Sequence, residues 1–164
     1  MDNLYKKLLI LRSPNIGNIK YLELLSKFET LDNIIDFIKP SDSIFKIVDK
    51  ELELADKLNI KFIENDSEFY PKKLLELKNC PIILTVRGNL DSLNKQSVSI
   101  VGTRHASVAG ITIVSNLAQT FAYNNYCVIS GMAIGTDTYS HIGALKSEGD
   151  SNTIAVLAGG IDYI

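Results

Sequence analysis

The chain has 164 residues, enough for one ordinary domain or two small ones with a sizeable buried core. Hydrophobic residues make up 46 % and charged residues 22 %, and the formal net charge is −2, a balance that excludes a disordered chain and a broadly basic surface. No stretch approaches the roughly 20 apolar residues that span a membrane. "MDNLYKKLLILRSP" does not read as an export signal, because Arg12 interrupts its apolar run and no small-residue cleavage site follows.

From residue 3 to about 59 the periodicity is helical. "LYKKLLILR" sets Leu4, Leu8 and Leu11 on one stripe, and Pro14 with Gly17 then punctuate a turn. "NIKYLELLSKF" restarts the helical pattern. Thr30 is placed to cap "LDNIIDFIK", which Pro40 ends, and Ser41 or Ser43 to cap "IFKIVDKELELADKL". The outcome is a bundle of about four short helices. "SPNIGNIKYLELL" has the outline of a helix–hairpin–helix element whose turn amides could meet a phosphate, and equally the outline of a plain helix–helix turn.

Residues 60–80 read as a connector, with a short strand at "IKFIEN" and one or two helical turns after Pro71. Period two and short buried runs then take over. "IILTVRG", "SVSIVG", "YCVISG" and "TIAVLAGG" read as strands. Between the later ones lie helical segments, "ASVAGITIVSNLAQTFAYN" and "GTDTYSHIGALKSEG", the second closed by Gly149. Strands too apolar to face water, alternating with helices, imply parallel βαβ units. The strands are expected at 97–101, 126–130 and 153–158, and they end in Gly102, Gly131 and the pair Gly159–Gly160. In such sheets ligands bind beyond the carboxyl ends of the strands, and glycines there let backbone amides approach a ligand closely.

Each half of the chain has a net charge of −1, but the cations are not evenly distributed. Residues 1–80 carry 13 Lys and Arg, whereas residues 81–164 carry only Arg87, Lys95, Arg104 and Lys146. Binding of an anionic polymer by the second half therefore requires a local site. Arg104, two residues past Gly102, is placed over the sheet edge, where a guanidinium can grip a phosphate in two places or pair with a carboxylate. In "SGMAIGTDTYSHIGAL", Gly135 permits an unusual turn, Asp137 suits a helix start, and His141 falls on the same helical face. One Asp and one His are too few for a metal, and no nucleophile is fixed beside the histidine, so these two are expected to shape the loop. Neither the G-x-G-x-x-G fingerprint nor a P-loop occurs, so no cofactor is expected. Cys80 and Cys127 lack motif spacing and fit a reducing cytoplasm, as small apolar fillers.

The segments "SIVGTRHASVAG", "VISGMAIGTDTYSHIGAL" and "TIAVLAGGIDYI", in this order, resemble the DNA-processing protein A family, also called DprA or Smf. "EFYPKKLLELKNCPIILTVRGN" resembles that family's lead-in and the N-terminal helices its small helical domain. The resemblance implies an α/β fold: a small N-terminal helical domain, SAM or helix–hairpin–helix-like, at 1–60, a connector at 61–80, and the first half of a Rossmann-like parallel sheet at 81–164. It implies binding of single-stranded DNA during DNA uptake and recombination, loading of the RecA recombinase, and no enzymatic activity. Phosphates are expected at Gly102, Thr103, Arg104, Ser130, Gly131 and Gly135. Ile134 and Thr136 depart from the family's habit, the first removing a possible phosphate contact. The family runs on past "GGIDYI", so a fragment or a remnant with a bare edge at strand 97–101, prone to self-association, is expected. The rival is a Rossmann-like nucleoside monophosphate hydrolase, whose Pro-Gly-Gly-x-Gly-Thr signature is absent.

Overall fold

In a computed structural model, residues 1–148 and 153–163 are described. The chain divides into two compact units, Met1–Arg87 and Gly88–Ile164.

The first unit opens with four helices, α1 (Asn3–Arg12), α2 (Asn18–Phe28), α3 (Leu31–Ile38) and α4 (Asp42–Lys57). Their boundaries follow local chemistry. The Asp2 carboxylate accepts from the Tyr5 amide and the Thr30 hydroxyl from the Asn33 amide, so both cap helix starts. Lys39 ends α3 in the left-handed region at φ 46°, just before Pro40. Ser41 begins α4, but its hydroxyl bonds the Ser43 hydroxyl and not a helix amide. Leu8, Leu9, Ile10, Tyr21, Leu24, Ile34, Ile44 and Val48 form the core. Lys7 is mostly buried. Burial alone lowers the pKa of its ammonium, but the hydrogen bond it donates to Glu64 and the charges of Glu64 and Asp66 outweigh this and raise it overall.

Residues 61–86 join this unit. Strand β1 (Lys61–Glu64) pairs antiparallel with β2 (Ile83–Val86), and a 3-10 turn (Lys72–Glu76) lies between them. Tyr70 is buried and donates to the Pro81 carbonyl at 2.5 Å, and burial, with Cys80 beside it, pushes its phenol up to about 12. The expected domain limits are thereby redrawn. "IILTVRG" is the partner of the 61–64 strand and not the opening strand of the sheet that follows. The physical reason is that Ile82 is buried among Ile10, Tyr21 and Leu24, an apolar contact invisible to local periodicity.

The second unit is Rossmann-like. After a 3-10 turn (Leu90–Asn94) that the sequence pattern did not indicate, β3 (Ser97–Ser99), α5 (Val108–Tyr123), β4 (Cys127–Ser130), α6 (Thr136–Leu145) and β5 (Thr153–Ala155) alternate. The three strands are parallel in the order β3-β4-β5. Crossovers of one hand along this order put both helices on the same face, where Ile100, Ala118, Ala122, Val128 and Ala144 form the core. α6 ends at Leu145, and Gly149, expected to close it, lies outside the described residues. Cys127 is wholly buried, which pushes its thiol up, with Lys95 acting weakly in the opposite direction. Among the described residues no helix is long and apolar enough to cross a membrane.

Gly143, inside α6, is where the two helices touch. A Cβ there would lie closer to the Ser115 carbonyl oxygen than contact allows, and 2.8 Å from the Ser115 Cα. Gly143→Ala is expected to lower the stability of the second unit by about 1–3 kcal/mol through overpacking, read as a lower urea midpoint by circular dichroism. An unchanged midpoint would contradict the close packing. Limited proteolysis is expected to cut first between residues 87 and 96, where the two units join; first cuts within 108–123 would contradict the division.

Candidate functional site

Because β3, β4 and β5 are parallel, their carboxyl ends share one edge. The ladder continues briefly past the strands: the Ile100 amide donates to Ile129 O at 2.9 Å and the Val156 amide to Ser130 O at 2.8 Å. Two loops leave this edge, 101–107 before α5 and 131–135 before α6.

The loops are interlocked through their backbones. Gly135 has φ 87° and ψ −128°, a conformation side chains rarely adopt, and a Cβ on it would sit 2.5 Å from both the Thr103 and the Arg104 carbonyl oxygens. The Thr136 amide donates to Thr103 O at 3.1 Å. Gly102 in turn faces Thr136, whose hydroxyl oxygen would lie 2.6 Å from an added Cβ. The Thr103 hydroxyl accepts from the His105 amide at 3.1 Å, which tightens the bend. Gly102, Thr103, Arg104 and Gly135 thus occupy one neighbourhood.

Arg104 is exposed at the bend, and among the described residues no carboxylate pairs with it. Three residues on, Ser107 begins α5, its hydroxyl accepting from the Gly110 amide at 3.1 Å. The first turn of α5 has no acidic residue, so the positive end of its dipole is left without a fixed counter-charge beside the Arg104 bend.

Ser130 and Gly131 are differently placed. Ser130 is buried, and its hydroxyl donates to Ile100 O at 2.6 Å. Its one proton is committed to joining two strands, so it offers no donor to an anion. Gly131 leaves no room for a side chain, since an added Cβ would be 2.7 Å from the Asp137 carboxylate. Asp137 is buried in the first turn of α6, where a carboxylate suits the helix dipole.

His141 ties this loop to the sheet. Its Nε2 lies 2.7 Å from Gly131 O and its Nδ1 2.6 Å from the Thr153 hydroxyl. A carbonyl only accepts, so Nε2 carries a hydrogen. The Thr153 hydroxyl is also 2.8 Å from Val128 O, and its single proton can serve that carbonyl or Nδ1 but not both. Local reading of the sequence missed Thr153 and Thr136 as partners here, because a threonine at a strand start or helix start carries no distinguishing signal. Gly143, a glycine inside a helix, was a visible sign of close packing.

The second unit belongs to the Rossmann-like class of folds, with both loops at the carboxyl edge of its parallel sheet. The sequence model for DNA recombination-mediator protein A matches residues 61–164, and the chain belongs to that family. It is 39 % identical over 93 residues to DNA processing protein DprA of Streptococcus pneumoniae, covering 57 % of this chain and 32 % of that protein. It is 31 % identical over 168 residues to Protein Smf of Borreliella burgdorferi, covering 91 % and 53 %. Among solved structures, DprA from Streptococcus pneumoniae superposes with a TM-score of 0.72 at 28 % identity, covering 99 % of this chain and 60 % of that one. DprA from Helicobacter pylori, described for a single-stranded DNA binding mode, gives a TM-score of 0.54 at 26 % identity, covering 65 % and 46 %. The chain spans a third to a half of the length of these two curated relatives.

Gly135→Ala is expected to destabilise the second unit by about 1–3 kcal/mol from the backbone conformation, and to shift the amide resonances of Thr103 and Arg104. Unshifted resonances at those two residues would contradict the interlock.

Proposed function

We propose that this chain binds single-stranded DNA in the course of DNA uptake and recombination, as a DprA-type recombination mediator. The observation that carries the reading is Arg104, an exposed guanidinium without a carboxylate partner among the described residues, on a bend held by Gly135. The likeness to the Helicobacter pylori protein, described for its single-stranded DNA binding, supports it. In this reading the DNA phosphates meet the Arg104 fork, the amides of Gly102 and Thr103, and the N-terminus of α5. Gly131 and Gly135 contribute by letting the backbone come close, while Ser130, Asp137 and His141 hold the loops that present these groups. Contacts to phosphate are tolerant of sequence and sensitive to salt.

Likeness to the family supports a finer reading, which we also propose. The DNA-bound protein hands its strand to RecA, works in the cytoplasm, uses no cofactor and catalyses no reaction. It also associates with itself. β3 has a strand on one side only among the described residues, and an unpaired strand edge favours joining another chain.

Arg104→Ala is expected to weaken binding to oligo-dT by about 1–3 kcal/mol and to reduce the salt slope by about one phosphate's worth. Fluorescence anisotropy across a salt series reads both. A variant that binds as well as the parent at every salt concentration would refute the phosphate role of Arg104.

A further inference from the structure

His141 sits where α6, the loop before it and the sheet meet, and its hydrogen bonds close in only one of its two protonation states. Nε2 lies 2.7 Å from Gly131 O and donates to it, since a carbonyl only accepts. Nδ1 lies 2.6 Å from the Thr153 hydroxyl, which is itself 2.8 Å from Val128 O. A neutral ring has no hydrogen left for Nδ1. The one hydroxyl proton of Thr153 then goes to Nδ1 and leaves the contact with Val128 O unmade, or goes to Val128 O and sets two lone pairs against each other across 2.6 Å. A ring with a second proton closes every contact: Nε2 donates to Gly131 O, Nδ1 to Thr153, and Thr153 to Val128 O. Gly131 opens the loop before α6, Val128 belongs to β4 and Thr153 to β5. The closed relay therefore ties α6 to its own loop and to two strands.

Few charged groups surround this ring. α6 packs on α5, β4 and β5. α5 carries no ionisable group except Tyr123, its last residue, and β5 carries none. β4 carries only Cys127, whose side chain points to the opposite face of the sheet from Val128, which packs against Ala144 of α6. On α6 itself stand Tyr139 and, one turn before His141, the buried Asp137, a carboxylate of the sign opposite to an imidazolium. Lys146, just past the helix, is turned to the Ser115 hydroxyl at 3.2 Å. We propose that His141 is a proton-operated clamp: a second proton on its ring locks the 131–135 loop onto the sheet, and with it, through the Gly135 contact, the Arg104 bend. The clamp is tight in mild acid and loosens as pH rises through the range in which imidazoles titrate, between about pH 5 and 8. A bend held in one arrangement loses less freedom on taking an anion. On the reading of this edge as a DNA site, strand binding therefore tightens together with the clamp, while the clamp itself does not depend on that reading.

The test is hydrogen exchange of the whole chain without DNA, at about pH 5.5 and about pH 8, corrected for intrinsic rates and read at the Thr136 amide, which donates to Thr103 O. The chain has two histidines, and the starting protein carries His105→Gln so that the exposed His105 adds no charge at the bend. The clamp predicts protection about threefold to tenfold higher at the acid pH, the worth of one hydrogen bond. Thr153→Val keeps a β-branched residue in the strand and removes the relay hydroxyl; His141→Gln removes the group that takes up the proton. Both are expected to abolish the difference, and circular dichroism checks that each remains folded at both pH values. No rise in the starting protein, or the same rise in a folded variant, overturns the clamp. Fluorescence anisotropy with oligo-dT at the same two pH values reads the consequence for binding. Affinity that rises in acid in the starting protein and not in the variants supports the coupling. Protection that rises without any rise in affinity overturns the coupling and leaves the clamp. No binding at either pH overturns the DNA reading alone.

Discussion

The edge of the second unit depends on one backbone contact. Gly135 lies against the carbonyls of Thr103 and Arg104 so closely that no side chain fits, and it does so in a conformation that glycine alone adopts at low cost. The Thr136 amide closes the same contact with a hydrogen bond to Thr103 O. Two loops from different strands are thereby fixed to one another without any side chain between them. Arg104 projects from that fixed backbone, so ordering it on an anion costs mainly its own side-chain freedom.

Around this contact the polar groups fall into two kinds. Some are satisfied internally and serve as braces. The Ser130 hydroxyl joins β3 to β4, and His141 holds Gly131 O while reaching Thr153 on β5. Others face outward with no internal partner among the described residues, and Arg104 is the main one. An edge built this way suits holding a charged polymer. The described residues bring no three of His, Cys, Asp or Glu together as a metal site. The Rossmann-like sheet accords with membership of the DNA recombination-mediator protein A family.

Much of the fold was legible in the residues. Periodicity placed the four helices, and Thr30 and Pro40 marked the limits of α3 to within a residue. Short apolar runs ending in glycine located β3 and β4 and the edge they share. The errors arose where tertiary packing decided. "IILTVRG" has the composition of a buried strand and gives no hint of which sheet it joins; pairing with Lys61–Glu64 is a non-local choice set by Ile82 in the helical core. At the site, glycine spacing located the loops, and Arg104 stood out because cations are scarce in that half. The burial of Ser130 was not legible, since a serine at a strand end looks the same whether it faces a ligand or a neighbouring strand.

The central claim is that the carboxyl edge of β3 and β4 is where a single strand is held. The most direct measurement is a titration of the isotopically labelled chain with oligo-dT, following backbone amide resonances. The account predicts shifts concentrated at residues 101–109 and 131–136, with the first unit little changed. Shifts concentrated in residues 1–87, with 101–109 and 131–136 unmoved at saturation, would contradict it.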